Sequence, residues 1–321
     1  MFSCALRRAC SKGVSASTHR CRVASRRHLS STTSASAASA NTTDGGNADD
    51  DTPPDAATVV QGPSLLTSTS VYRPSPSLFH LPGLRSLPFW TAPSSSSARN
   101  RVAYNDPTVS AIVEQLEASF DDIKEEYMAA VIGAGTKTDP DADAVSKPLE
   151  PDYDVNVRGG EHATDALHTG TWDWHSYVLS GERQAKFAEH CPKTAAIVNG
   201  LREAGHLFET PFSFCFFSTL QPNSTIKPHV GPMNLRLRIH LPLIVPEGDC
   251  AIRVGPQARQ WEEGKALVLD DSFDHEVWNK SEGVRVLLLL DVWHPDVQPM
   301  ERERIGKMFD YAKDKGWIGQ S

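Results

Sequence analysis

The stretch Leu235-Arg-Leu-Arg-Ile-His-Leu241 is the most informative strand in this sequence. Its residues alternate strictly, so that the apolar side chains share one face of an extended strand and Arg236, Arg238 and His240 share the other. A basic face of this kind can be the solvated side of an outer strand. It can also line a pocket for a dianionic ligand, an interpretation favoured by an acidic chain and by histidine motifs on both sides.

Short apolar segments recur on both sides of that strand, separated by turns rich in Gly and Pro. Many short strands at this spacing are typical of a sandwich or a double-sheet jelly roll. The sequence therefore predicts a mainly β protein, a double-stranded β-helix of the cupin-like kind with flanking α-helices. The predicted strands are 212–220, 235–245, 251–254, 265–269 and 284–292.

The flanking helices are predicted from helical periodicity. Asp106-Pro-Thr108 is a helix start, and apolar residues follow it at helical spacing as far as Tyr127. Three further helices are predicted over 182–188, 192–204 and 297–313. No internal repeat is evident.

Charge is distributed unevenly along the chain. Residues 1–43 contain seven Lys or Arg and no acid, whereas residues 44–321 contain the other 25 basic residues and all 40 acidic ones, a net charge of −15. A domain this acidic is a poor candidate for binding nucleic acid or an anionic membrane through bulk charge. No run of about 18 apolar residues occurs, so no transmembrane segment is predicted.

The N-terminal third divides into two segments of different composition. Residues 1–30 are rich in Arg and Ser, free of acid and without a continuous apolar segment, which predicts a mitochondrial transit peptide cut near Leu29. A disordered basic tail has the same composition, and plastid or cytoplasmic locations are the alternatives. Residues 31–100 are predicted to be a low-complexity disordered linker with 84–90 docked on the domain, and 101–321 to be the folded domain.

Two histidine motifs flank the alternating strand, Lys227-Pro-His-Val-Gly-Pro232 and Asp270-Asp-Ser-Phe-Asp-His-Glu-Val-Trp278. Ten residues after His275, Arg285 stands alone in an apolar strand, where a cation is costly unless its charge is paired. This order of two histidines and an arginine is that of iron oxygenases that use 2-oxoglutarate. In these enzymes the histidines bind Fe(II) and the arginine binds the distal carboxylate of 2-oxoglutarate. In a chain with 12 histidines the spacing alone is a weak signal.

Four consecutive blocks of sequence give a more specific resemblance. The blocks are His229-Val-Gly-Pro-Met-Asn-Leu-Arg-Leu-Arg-Ile-His240, Trp261-Glu-Glu-Gly-Lys265, Asp270-Asp-Ser-Phe-Asp-His-Glu-Val-Trp278 and Asp291-Val-Trp-His-Pro295. Together they resemble the aspartyl/asparaginyl β-hydroxylase family, densely over 210–296 and faintly over 106–209. The resemblance makes 101–321 a catalytic domain.

The resemblance implies a dioxygenase that uses Fe(II), 2-oxoglutarate and O2. Its substrate would be an Asp or Asn residue, or a similar group, in a protein, hydroxylated at the β-carbon with succinate and CO2 as co-products. One alternative is a hydroxylase of a free amino acid or other small molecule. Another is a non-catalytic jelly roll that binds a metabolite or a partner.

The resemblance also assigns residues to the site. His229 and His275 would be the catalytic iron ligands. A tryptophan that the family places near the co-substrate has no match, because Ser180 stands at the loosely aligned position. The residues that would contact 2-oxoglutarate are Ser218, Arg238, His240 and Arg285.

Each assignment has a structural alternative. His275 has acids on both sides and could be an ion-paired surface histidine. Arg285 could form an ion pair with Asp291, and Ser218 could be an ordinary strand hydroxyl.

Gly231 departs from the wider oxygenase class, in which Asp or Glu stands two residues after the first histidine. In many members of the resembled family this position is glycine, with water completing the iron shell. Charge balance permits this, since Fe²⁺ and the 2-oxoglutarate dianion sum to zero and Arg238 and Arg285 add positive charge. Two protein ligands should hold iron loosely. Gly231→Asp is therefore expected to bind iron more tightly.

Overall fold

The structure of the protein is a computed structural model that describes residues 73–93, 97–133, 148–152 and 167–318. The predicted transit peptide, 1–30, and the predicted linker before residue 73 lie outside the described residues. Within the described ranges, none of the helices has the length and apolar character that crossing a bilayer requires.

Helices precede, interrupt and follow a succession of antiparallel strands. The α-helices are α1 Ala98–Arg101, α2 Pro107–Ala118, α3 Phe120–Tyr127, α4 Ala185–His190, α5 Pro192–Glu203 and α6 Pro299–Asp314, and a 3-10 helix Ala103–Asn105 and a π-helix Met128–Ile132 complete the helical elements of the described residues. The strands are β1 His168–Thr169, β2 Trp172–Leu179, β3 Glu182–Arg183, β4 Cys215–Leu220, β5 Ser224–His229, β6 Arg236–Ile244, β7 Cys250–Val254, β8 Gln257–Gln260, β9 Leu267–Leu269, β10 His275–Asn279 and β11 Arg285–Trp293.

Two sheets pack face to face. The larger has the strand order β3-β2-β4-β11-β6-β9 and the smaller the order β1-β5-β10-β7-β8, and every pairing is antiparallel. One apolar cluster joins their inner faces, with Phe216 and Leu287 from the larger sheet against Ile252 and Val277 from the smaller. The predicted fold class, mainly β with two sheets and flanking helices, is confirmed.

The larger sheet is buried on both of its faces. On β6, Leu237 and Ile239 pack in a second core together with the helices, on the side away from the smaller sheet. Arg236 and His240 are also buried, and the Arg238 side chain is only 15% exposed. The interpretation of this basic face as the solvated side of an outer strand is therefore wrong. The alternating strand packs against apolar residues on one side and faces a polar site on the other.

The first helices form as the sequence predicts, with one difference. The Asp106 carboxylate accepts hydrogen bonds from the N–H groups of Thr108 and Val109, and Pro107 occupies the first position of α2. The predicted continuous helix breaks at Ser119, between α2 and α3. Its apolar stripe still packs in the core that covers the outer face of the larger sheet.

Three strands that position the site lie outside the predicted ones. They are β2, β5 and β10. β5 contains Pro228 and polar residues, and β2 mixes tryptophans with polar residues, so neither shows a clean apolar alternation.

The segment before α1 packs on the domain over a longer stretch than the docking expected for 84–90. Its backbone donates hydrogen bonds to the domain from Ser75 onward. Leu84, Phe89 and Trp90 are buried. The described part of the predicted linker, 73–93, is therefore in contact with the two-sheet domain.

Candidate active site

His229 and His275 lie directly opposite each other on neighbouring strands. They are cross-strand partners in the pairing of β5 with β10, and their ring centroids are 4.0 Å apart. His275 is 4% exposed, so the surface-histidine alternative is wrong. Two histidines 46 positions apart in the sequence thus meet at the ends of two neighbouring inner strands of the smaller sheet.

The hydrogen bonds of the pair fix which nitrogen carries the proton. His229 Nδ1 lies 2.8 Å from the Lys227 carbonyl oxygen, and His275 Nδ1 lies 2.9 Å from that of Phe273. Because a carbonyl only accepts, both Nδ1 atoms donate, and each neutral ring keeps a lone pair on Nε2. Burial lowers the pKa of both rings, to about 3 for His275, where the neighbouring His229 adds to the effect. The pair is therefore neutral and suited to metal ligation.

A cavity between the sheets begins at this pair. Its empty volume is about 380 Å³, including open solvent at the mouth. All six residues predicted for the site line it. The lining residues are Trp172, Ser218, Ile226, His229, Arg238, His240, Ile252, Leu269, His275, Val277, Arg285 and Leu289.

Arg285 is a buried cation without an anionic partner among the described residues. It is 1% exposed, its Nε has no hydrogen-bond partner, and its Nη2 is 3.4 Å from Ser218 Oγ. Burial lowers the pKa of its guanidinium to about 10. The suggested ion pair with Asp291 is wrong, because that carboxylate binds two other arginines.

Ser218 and Trp172 sit beside this guanidinium. The Trp172 indole Nε1 donates to Ser218 Oγ at 2.8 Å, and the longer contact from Arg285 reaches the same oxygen. The hydroxyl hydrogen of Ser218 is then available to a ligand. Ser180 lies in the turn after β2 with φ +53° and is not among the residues that line the cavity, whereas the tryptophan Trp172 is.

His240 is held as a neutral donor in the same cavity. Trp261 Nε1 lies 3.3 Å from its Nδ1, which therefore accepts and leaves the ring proton on Nε2. Burial, followed by the charges of Arg285 and Arg238, lowers the pKa of His240 well below its usual range. The Trp261 ring also lies 5.2 Å from the Arg285 guanidinium carbon.

Arg238 belongs to a cluster of paired charges. Its Nε donates to Asp291 at 2.8 Å and its Nη1 is 3.3 Å from Asp271. Arg236 binds the same two carboxylates at 2.8 and 2.6 Å. Burial would raise the pKa of Asp271, but the charges of Arg236 and Arg238 outweigh it and hold that pKa well below its usual range. The cluster of Arg236, Arg238, Asp271 and Asp291 is thus neutral as a whole.

Gly231 packs against one member of this cluster. A Cβ atom at position 231 would lie 2.6 Å from the Asp271 carboxylate, and Gly231 N–H donates to the Asp271 carbonyl at 2.6 Å. An Asp at position 231 would therefore meet the Asp271 carboxylate, which already fills that space, and the expected gain in iron affinity stays a prediction. In the described part of the chain, no three His, Cys, Asp or Glu side chains form a metal-binding group.

Several residues of this site could not be assigned from the sequence. Trp261 and the two acids Asp271 and Asp291 stood in the quoted blocks without a role. The acids flanking the motifs were a signal, since buried arginines require partners. Trp172 could not be placed because β2 itself was not predicted.

Comparison with known proteins identifies the family. Residues 117–295 match the model of the family described as Aspartyl/Asparaginyl beta-hydroxylase. The mouse Aspartyl/asparaginyl beta-hydroxylase is 29% identical over 229 residues, which are 71% of this chain and 26% of that protein. The human Aspartate beta-hydroxylase domain-containing protein 1 is 30% identical over 237 residues, 73% of this chain and 51% of the relative.

A bacterial relative has a different name. The Ornithine lipid ester-linked acyl 2-hydroxylase of Rhizobium tropici is 36% identical over 130 residues, 39% of this chain and 43% of that protein. The chain thus spans about a quarter to a half of the length of these curated relatives. Since the family model covers more than half of its residues, this chain belongs to the aspartyl/asparaginyl β-hydroxylase family.

Proposed function

We propose that this protein is a dioxygenase that depends on Fe(II) and 2-oxoglutarate. The observation that carries the proposal is the buried Arg285 guanidinium, which shares a cavity with a neutral histidine pair and has no anionic partner in the described residues. A buried unpaired charge is costly, and an anionic ligand would remove that cost. A carboxylate is the matching ligand, because it accepts two parallel hydrogen bonds from a guanidinium.

The residues present fit the metal and the co-substrate. His229 and His275 would hold iron through their Nε2 atoms, and imidazole is a ligand suited to iron. When bound, Fe(II) would let one oxygen atom of O2 convert 2-oxoglutarate to succinate and CO2 while the other enters a C–H bond of the substrate.

The remaining cavity residues would bind and orient the co-substrate. Arg285 would bind the distal carboxylate of 2-oxoglutarate, with the Ser218 hydroxyl and His240 Nε2–H as further donors. Arg238 lines the cavity too, but its donors already serve two carboxylates. We therefore propose for Arg238 a contribution through its positive charge next to the histidines. Apolar side chains such as Leu289 would limit the access of water.

For the substrate we propose the β-carbon of an Asp or Asn residue, or a similar group, in a protein. The family and the names of the mouse and human relatives support this class. A small-molecule substrate is the second candidate, supported by the lipid named for the Rhizobium relative. Nucleic acid is a poor candidate, because residues 44–321 carry a net charge of −15.

The test is incubation of the purified protein with Fe(II), 2-oxoglutarate and a cell extract. We expect succinate to form and peptides containing Asp or Asn to gain one oxygen atom, as measured by mass spectrometry. His229→Ala and His275→Ala should abolish both, whereas His206→Ala, on a loop outside the cavity, should not. Full activity in either cavity variant contradicts the iron site. Oxygen gain in lipids or amino acids alone supports the second candidate.

We also propose a mitochondrial location, as the acid-free leader of residues 1–30 favours. A reporter fused to residues 1–45 should enter mitochondria. A reporter with the leader arginines replaced by Gln should remain in the cytosol, since import signals of this kind require positive charge. Entry of the native fusion into plastids or the secretory pathway would contradict the proposal.

A further inference from the structure

One segment of the chain joins the two loops that adjoin the histidines, the loop after His229 and the loop before His275. The Ser75 N–H donates to the Ser272 carbonyl at 2.7 Å, and the Ser77 N–H donates to the Gly231 carbonyl at 3.0 Å. Gly231 follows His229 by two residues, and Ser272 precedes His275 by three. Leu78 and Phe79 both donate to the next carbonyl, that of Pro232, and Phe79 bridges in parallel to Met233. We call residues 75–79 the clamp.

The sequence of the clamp suits this contact. In Pro74-Ser-Pro-Ser77, prolines alternate with serines, so only the serines carry an N–H. The proline rings also fix φ and favour an extended backbone in the unbound segment. Less conformational entropy is then lost when the two serine N–H groups bind their carbonyls.

A side chain of the domain holds the segment just after the clamp. Asn234 is 6% exposed, and its amide both accepts from the Leu81 N–H and donates to the Leu81 carbonyl, each at 2.8 Å. Further along, the Arg85 guanidinium binds Asp296 at 2.6 Å and Asp106 at 2.8 Å. Asn234 thus binds the backbone of Leu81, a contact that the sequence did not predict.

We propose that the clamp is a positioning element for the iron site, a role that rests on the proposed function. The pair His229–His275 is the only group of His ligands at the cavity edge in the described residues, with no third protein ligand to fix its geometry. The clamp binds the main chain of both loops, the one after His229 and the one before His275. Its residues precede the family match at 117–295. It restricts the distance between the two loops and so preorganises the two imidazoles.

The test compares two double variants of the full chain by calorimetric titration with Mn(II). Ser75→Pro/Ser77→Pro removes both N–H donors, whereas Ser75→Ala/Ser77→Ala keeps them and removes only the hydroxyls. We expect the proline variant to bind Mn(II) about tenfold more weakly and the alanine variant to bind as the wild type does. Thermal unfolding of the metal-free proteins separates loss of positioning from loss of stability.

The outcomes distinguish the clamp from the function on which it rests. Unchanged Mn(II) affinity in the proline variant, with or without a lower melting temperature, overturns the clamp while wild-type metal binding preserves the proposed function. Failure of the wild type to bind Mn(II) overturns the iron site itself.

A second pair of variants keeps the test decisive if the proline variant does not fold. Asn234→Ala releases the segment from the domain side and should also weaken Mn(II) binding severalfold. Asn199→Ala is its control. Asn199 lies on α5 and accepts a hydrogen bond from the Tyr177 hydroxyl on β2, so the substitution removes a hydrogen bond outside the segment. Equal Mn(II) affinity in these two variants overturns the clamp.

Discussion

Two groups of buried charge each contribute one arginine to the cavity, Arg238 and Arg285, and the groups differ in how their charge is compensated. In the cluster of Arg236, Arg238, Asp271 and Asp291, two cations and two anions bind one another at 2.6–3.3 Å. Arg285 is as buried as Arg236, at 1% exposure each, yet forms no ion pair with any described residue. The register places Asp291 opposite Arg238, whereas Leu220 stands opposite Arg285.

The difference separates a structural use of charge from a binding use. A buried pair breaks down when one partner is removed, because the other charge is left without compensation. Removing an unpaired buried charge has the opposite effect on stability, because the metal-free protein then folds without the free-energy cost of burying that charge. The paired cluster should therefore matter most for stability, and Arg285 for the binding of an anion.

The largest expected effect is on stability. Arg236→Met should lower the free energy of unfolding by about 3–5 kcal/mol, because Asp271 and Asp291 then share a single arginine. Arg285→Met should leave the metal-free protein as stable as the wild type or more stable. Urea unfolding of both variants measures this. Equal destabilisation by the two substitutions would remove the distinction between the groups.

The next effect is on the co-substrate. Arg285→Met should raise the KM for 2-oxoglutarate by at least about thirtyfold, corresponding to roughly 2–5 kcal/mol for a desolvated charge contact, while Mn(II) still binds. Succinate formation at varied 2-oxoglutarate measures it. Arg202→Met, which breaks an exposed ion pair between α5 and Glu209 outside the cavity lining, is the control and should not change the KM. A KM within twofold of wild type would reject the assignment of Arg285.

The stability of the protein should also depend on pH through Asp270, a buried acid that forms no ion pair in the described residues. Burial raises the pKa of Asp270 to about 7, against which the hydrogen bonds from Ser272 act. A raised folded-state pKa means that the stability from this group is complete below the unfolded value, 3.8, and is lost as pH rises to about 7. Asp270→Asn cannot titrate.

The variant Asp270→Asn should therefore gain stability relative to the wild type between pH 5 and pH 8, by on the order of 2 kcal/mol. Urea unfolding at the two pH values measures the gain. A constant difference across that range would show that Asp270 does not titrate there.

The smallest expected effect belongs to Ser218. Ser218→Ala should raise the KM for 2-oxoglutarate about fivefold, equivalent to roughly 1 kcal/mol for one hydrogen bond, because the hydroxyl is one donor among several in the cavity. Ser110→Ala, a buried serine on α2, is the control. An unchanged KM would leave Ser218 as a support for Trp172 only.

The sequence by itself determined the two-sheet fold class and most of the elements around it. The alternation in β6, the turn residues between apolar segments and the Asp106 cap of α2 are local signals, because side-chain direction and capping depend on near neighbours. The six predicted site residues were also available, through the order of the motifs and the resemblance of the blocks. The structure brings these six residues together in one cavity, while their roles stay predictions.

Only the tertiary structure decided how the charges are paired and which segment holds the loops next to His229 and His275. Strand register places Asp291 opposite Arg238 and leaves Arg285 without an ion-pair partner in the described residues. The packing of two loops places the Asp271 carboxylate beside Gly231. The clamp required contacts between residues more than 150 positions apart. Such contacts depend on which segments pack together in space, and a side chain's burial and partners follow from that packing rather than from its neighbours in the chain.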